Sequence, residues 1–168
     1  SVFGEMLTYK KLMNNISDDF DKKVLLASKI EDMINTVVRQ ISFYKFEQIV
    51  HKTRKQGELT SEDLNSIWID TQSKSLGPAI RLHENHKFLW SYIPHFIHSP
   101  FYVYAYAFGD CLVNSLYAVY ENNKSDFVTK YINLLSSGGS KHHSDLLAPF
   151  NLDASDPAFW NTGISLIS

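Results

Sequence analysis

Apolar residues recur at helical spacing along almost the whole chain. Phe3, Met6, Leu7, Leu12 and Met13 share one face and predict an opening amphipathic helix. Ser17, followed by Asp18, Asp19 and Asp21, reads as an N-cap with an acidic first turn, which suits the positive end of the helix dipole. From there a stripe through Leu26, Ile30, Met33, Ile34, Val37, Ile41, Tyr44, Ile49 and Val50 runs to about Arg54, and Gly57 stops it. The result is one long helix near residues 18–55, more usual in a large helical enzyme than in a lone small domain. Thr60-Ser-Glu-Asp63 is an N-cap turn, and Leu64, Ile67, Trp68 and Ser75 carry the next helix to Gly77-Pro78. Residues 79–89, rich in His and charge, read as a loop or short turn. Pro100 after Ser99 opens a helix to about Glu121. Ser125 caps another that ends at Ser137-Gly-Gly139, Ser144 begins a short one, and Asp156-Pro157 starts the last. No alternating strand pattern competes, so the expected class is all-α.

Composition narrows the partners more than the fold. A chain of 168 residues suits one domain or a piece of one. A net charge of −2 gives no global attraction to nucleic acid or to an anionic membrane. Nine Tyr and eleven Phe point to thick aromatic packing or to a cleft that contacts peptide. Cys111 is the single cysteine, so an intramolecular disulfide is excluded and a reducing compartment fits. No apolar run approaches the roughly 18 residues of a membrane span, and no secretory leader is legible. The setting expected is the cytoplasm. The chain starts at Ser1 and runs straight into Val-Phe-Gly-Glu-Met-Leu, which reads as a piece of a larger protein.

The densest chemistry lies between Trp90 and Gly109, where His95, His98, Tyr102, Tyr104 and Tyr106 sit in an otherwise apolar stretch. Buried Tyr and His need hydrogen-bond partners, and such groups can donate to the oxygen that turns negative when water attacks a peptide carbonyl. On a helix Tyr102 and Tyr106, four apart, share a face, with Tyr104 about 160° away by the ~3.6-residue period. They read equally as amphipathic core residues whose hydroxyls reach solvent. A zinc-peptidase helix needs His-Glu-x-x-His, and none is present; His83-Glu84-Asn85-His86-Lys87 has Lys at the second ligand position. The pairs His83/His86 and His95/His98 supply two ligands each, so no metal site is expected within this chain alone, unless those four histidines converge. Gly138-Gly139-Ser140 reads as a flexible C-cap, or as a loop cradling an anion before the helix at Ser144. Lys52-Thr-Arg54-Lys55 complements a helix C-terminus and needs no nucleic acid to explain it.

Several strings together resemble the oligoendopeptidase F family of zinc peptidases, related more distantly to thimet oligopeptidase. They are Ile93-Pro-His-Phe96, Pro100-Phe-Tyr-Val-Tyr-Ala-Tyr-Ala-Phe-Gly109, Gly138-Gly-Ser140 and Asp156-Pro-Ala-Phe-Trp160. Arg39-Gln40, Phe43, Phe46-Glu47 and Gly57-Glu-Leu-Thr60 fit in order and spacing. The resemblance covers essentially the whole chain. It implies a multi-helix C-terminal lobe of a zincin-like oligopeptidase, spanning residues 1–168 and lacking the upstream His-Glu-x-x-His helix. Ser1-Val-Phe-Gly-Glu-Met-Leu7 is similar to the end of the segment that carries the family's Glu zinc ligand. That ligand would then stand before residue 1, with Glu5 holding a ligand histidine in place. The resemblance further implies His95 and one or more of Tyr102, Tyr104 and Tyr106 as transition-state donors, of which Tyr102 and Tyr106 are preferred because they share a face, and it places Gly138, Gly139 and Ser140 beside the substrate channel. Zinc would belong to the complete enzyme, short peptides would be its substrates, and the missing N-terminal part of the same protein would be the chain's partner. The rival expectation is a non-catalytic helical domain that binds a peptide or partner helix.

Overall fold

The computed structural model describes residues 2–165, and among these there are helices and turns but no strand. Helix α1 spans Val2–Asn15 and α2 spans Asp19–Met33; a π turn over Ile34–Val38 joins α2 to α3, Arg39–Arg54. Helix α4 spans Ser61–Leu76, and a 3-10 segment over Glu84–Tyr92 leads to the single turn α5, His95–His98. Then follow α6 (Tyr104–Asn122), α7 (Lys124–Ser137), α8 (His143–Leu147) and α9 (Pro157–Ser165). The all-α class and the long helix near residues 18–55 are as the periodicity predicts. No described helix is long and apolar enough to cross a membrane.

The π turn changes what the long helix can bury. It inserts one residue into the helical repeat, which rotates the following face by about 100°. The stripe from Leu26 to Val50 is therefore not one continuous face. Helix α3 buries Phe43 and Phe46, whereas α2 buries no side chain, and Phe20, Val24, Leu26 and Ile30 on it are exposed.

The chain divides into two compact units. In one, Phe20–Phe108, a core of Phe43, Phe46, Trp68, Ile93 and Val103 forms between α3, α4 and the segment that follows. Trp68 meets Phe43 and Phe46 with ring centroids 5.3 and 5.2 Å apart, and pairs of this kind add about 0.5–1.5 kcal/mol beyond their burial. The Gln72 amide donates to Ser42 Oγ at 2.6 Å, so these two buried side chains of α4 and α3 satisfy each other. In the other unit, from Gly109 onward with the residues up to Asp19, Phe3 and Met6 of α1 pack on Leu116, Tyr117, Phe127 and Phe150. Ser115 Oγ there donates to the Phe159 carbonyl at 3.0 Å.

Four local expectations need correction. The stretch 79–89, expected as a loop or short turn, passes at Glu84 into the longer 3-10 segment, where Trp68 Nε1–H donates to the His86 carbonyl at 2.9 Å and Trp90 Nε1–H to Asn65 Oδ1 at 2.7 Å. Pro100 does not open a helix. Phe101 follows it at φ 61°, in the left-handed region, and α6 starts only at Tyr104. Helix α7 begins at Lys124, with Asn123 at the N-cap position but making no side-chain cap bond, and Ser125 Oγ donates to Asn123 Oδ1 at 3.1 Å. Helix α8 begins at His143, where the His142 imidazole accepts the Ser144 N–H.

At α4 the sequence-level cap is complete. Thr60 Oγ1 accepts the Asp63 N–H at 3.2 Å while Asp63 accepts the Thr60 N–H at 2.9 Å, and these bonds hold the Asp63 carboxyl below its ordinary range. Thr60→Ala is expected to lower stability by about 1 kcal/mol, read as a shift of the urea midpoint with an unchanged slope. An unchanged midpoint would mean that packing alone starts the helix.

Candidate functional site

The histidine and tyrosines of the 90–109 segment meet at one edge of the Phe20–Phe108 unit. Val103 anchors them: it is wholly buried among Phe43, Phe46, Trp68 and Ile93. With Val103 turned inward, its neighbours Tyr102 and Tyr104 both point outward and are half exposed. The outward residues then part company. Tyr104 packs against Tyr44, centroids 5.7 Å apart. Tyr102 lies parallel to the His95 ring at 6.3 Å, and edge-on to Tyr106 at 5.5 Å.

His95 Nε2 and Tyr106 Oη are 2.9 Å apart, a direct hydrogen bond between half-exposed groups. Whichever partner donates, the pair leaves one polar hydrogen or lone pair facing solvent. With the proton on Nε2, the imidazole donates to the phenol oxygen and polarises the Tyr106 O–H outward. That arrangement can offer a strengthened donor to an anionic oxygen. Tyr102 and Tyr106 do not share a helical face, since Tyr102 precedes α6; the turn, not the helical period, brings their rings together.

The turn rests on a residue that sequence reasoning named only as part of a pattern. Glu47 on α3 is 2% exposed, and its Oε1 accepts the Phe101 N–H at 2.9 Å. Its Oε2 is buried with no protein partner. Burial pushes the Glu47 carboxyl above its ordinary range, with the Phe101 N–H and the nearby His51 and His95 partly opposing it. The Phe101 ring is held between His51 at 4.7 Å and Tyr44 at 6.2 Å. A left-handed Phe stores about 1–3 kcal/mol and persists only where its surroundings fix it. The available sequence signal was a Glu four residues after Phe43 and three before Val50, a charge at core-facing spacing.

The remaining candidates lie on other elements. Glu5 is exposed in the first turn of α1. Gly138 ends α7 at φ 52°, and Ser140 folds back so that its Oγ donates to the Ser137 carbonyl at 2.7 Å. The His83 and His86 rings lie 6.2 Å apart. Among the described residues no three or more His, Cys, Asp or Glu side chains gather as a metal-binding group, so the set His83, His86, His95 and His98 does not converge. A cavity of about 640 Å³ along α4, lined by Asn65, Asp70, Lys87 and Phe88 among others, contains none of the His95 group.

Comparison with known proteins gives a consistent picture. The sequence model of Peptidase family M3 matches residues 1–166. An oligoendopeptidase F homolog of Borreliella burgdorferi is 35% identical over 159 residues, 94% of this chain and 27% of the relative. The oligopeptidase PepF of Bacillus subtilis is 31% identical over 158 residues, 94% of this chain and 23% of the relative. The crystal structure of oligoendopeptidase-F from Enterococcus faecium superposes with a TM-score of 0.89 at 26% identity, covering 99% of this chain and 32% of that one. The chain thus spans about a quarter of the length of the curated relatives it matches.

Glu47 gives a pH-dependent prediction. Because its folded carboxyl titrates above the unfolded value of about 4.3, the fold favours the protonated form. Its stabilising contribution is full below that unfolded value and is lost as pH rises through the raised folded one. Glu47→Gln removes this titration, so the variant is expected to gain on the wild type across that window and to hold its gain above it. Urea midpoints of both proteins between about pH 4 and 8 check this, and parallel profiles would contradict it.

Proposed function

As the chain belongs to Peptidase family M3, we propose that it is the C-terminal part of the catalytic domain of a zinc-dependent oligoendopeptidase that hydrolyses short peptides in the cytoplasm. The observation that carries the reading is the 2.9 Å bond between His95 and Tyr106 with Tyr102 against both. Zinc, when the complete enzyme binds it, supplies a Lewis acid and an activated water. Among the described residues no three or more His, Cys, Asp or Glu side chains gather as a metal-binding group, and the roles proposed for this chain's own residues are hydrogen-bonding ones.

In this reading the substrate carbonyl lies beside the exposed edge of the His95–Tyr106 pair. As water adds to the carbonyl carbon, its oxygen becomes negative, and the Tyr106 O–H donates to it. The His95 imidazole, donating to the phenol oxygen, strengthens that bond as the charge grows. Tyr102 stacks on the imidazole, fixes its plane and offers a second hydroxyl. A donor matched to the charged oxygen more than to the neutral carbonyl lowers the barrier without tightening substrate binding. Glu5, in a segment like that bearing the family's Glu ligand, would hold a ligand histidine, and Gly138, Gly139 and Ser140 would border the substrate channel.

The partner of the chain in this proposal is the remainder of the same protein. Support comes from α2, which buries no side chain and exposes Phe20, Val24 and Ile30; apolar faces of this kind are interaction surfaces.

Two expected outcomes follow. In the complete enzyme, Tyr106→Phe and Tyr102→Phe should each lower kcat by roughly 10²–10³-fold with KM little changed. Unchanged kcat in both would remove the pair from the mechanism and favour a non-catalytic binding domain. The isolated chain should bind an apolar dye through α2, and Phe20→Ser with Val24→Ser should abolish most of that fluorescence. No dye binding by the wild type would argue that α2 needs no cover.

A further inference from the structure

We propose that Glu47 is a positioning residue: its Oε1, by accepting the Phe101 N–H, pins the left-handed turn that sets Tyr102 and Tyr106 against His95. The role of Glu47 in the turn stands on geometry alone, and its consequence for catalysis rests on the reading of His95 and Tyr106 as donors.

Three observations converge on this carboxylate. First, Glu47 belongs to the floor of the unit, at 2% exposure on a helix whose neighbouring inward residues are Phe43 and Phe46. A carboxylate there is unfavourable unless it does something an apolar side chain could not. Second, only one of its oxygens has a protein partner, and that partner is a backbone N–H 54 residues away in sequence. The bond is a tie between α3 and the turn, not part of an ion-pair network. Third, the tied residue is Phe101, whose φ of 61° a Phe adopts only when held. Its ring contacts to Tyr44 and His51 fix the side chain, but the N–H direction, and with it the Pro100–Phe101 peptide plane that enters the turn, is fixed by Glu47.

The lever arm is short. Tyr102 is the next residue, Val103 locks into the core, and α6 starts at Tyr104. A rotation of the Phe101 peptide therefore moves the Tyr102 ring and the first turn of α6, including Tyr106, relative to α5, which carries His95. His51 and His95 also lie within electrostatic reach of the carboxylate. The role of Glu47 could thus be mistaken for one of charge. Reach and charge are separable by substitution.

The test compares Glu47→Gln with Glu47→Asp in this chain by nuclear magnetic resonance. Gln keeps an oxygen at the same reach and removes the charge; Asp keeps the charge and retracts the oxygen by one methylene. The expected result is that E47Q retains slow exchange of the Phe101 amide and the proton proximity between the His95 and Tyr106 rings. E47D should exchange that amide about tenfold faster, the loss expected for one hydrogen bond, and its two rings should move apart. The amides of α4 should keep their protection in both variants. The proposal is overturned if E47D matches the wild type, if E47Q loses the protection, or if α4 loosens equally with the turn. In a complete enzyme, E47D should lower kcat by up to about 100-fold with KM little changed, as misplacement of a catalytic group does. A normal kcat there, despite separated His95 and Tyr106 rings in E47D, would refute the donor reading of the tyrosines and leave the clamp standing.

Discussion

A phenylalanine held in the left-handed region is the constraint on which this edge of the protein depends. Phe101 has no local means of staying there: it is bulky, and the Ser-Pro before it does not require a reversal. What holds it comes from elsewhere, with Glu47 Oε1 on its N–H, Tyr44 and His51 against its ring, and Val103 sealed into the core two residues later. Each contact is modest, yet together they outweigh about 1–3 kcal/mol of strain. The turn therefore belongs to the tertiary structure, and it should loosen before the helices on either side do.

That origin explains which parts of the fold were legible in the sequence. Helices with a strong apolar period, and ends marked by short-range chemistry, were readable, as Thr60 with Asp63 and Asp156 with Pro157 show. The π turn at Ile34–Val38 was not, since one inserted residue leaves the local apolar pattern nearly unchanged while rotating everything beyond it. The 3-10 segment at Glu84–Tyr92 was hidden for a different reason: its order comes from two indole N–H bonds to and from α4, invisible in a polar local sequence. The start of α6 was misplaced because Ser-Pro is an ordinary helix opening, and distant contacts, the Glu47 carboxylate among them, hold the next residue the other way.

The candidate site shows the same division. Gathering His, Tyr and Pro in one short segment marked the region, but Tyr102 and Tyr106 do not come together on a helical face, because Tyr102 lies outside the helix. Their rings meet through the turn, and Tyr104, the third candidate, goes to Tyr44. Glu47 could have been singled out by asking why a carboxylate occupies a core-facing position on α3. Periodicity read as apolar against polar discards that question, since it treats a buried charge as noise in the stripe.

A hydrogen-bond donor for a developing oxyanion must satisfy two demands that pull apart: its hydroxyl must meet substrate, and its direction must be fixed before substrate arrives. Exposed tyrosines on a free loop meet the first and fail the second. Here the hydroxyl-bearing residues are 39–51% exposed, while the residue between two of them, Val103, has no exposure at all. The backbone is thus held by the core and only the side-chain tips reach outward, where His95 and Tyr106 restrain each other. The strain at Phe101 follows from the same pair of demands. The reversal at Phe101 leaves Tyr102 ahead of α6 with its ring parallel to His95 and edge-on to Tyr106, and in this way one short segment presents a histidine and two tyrosines together.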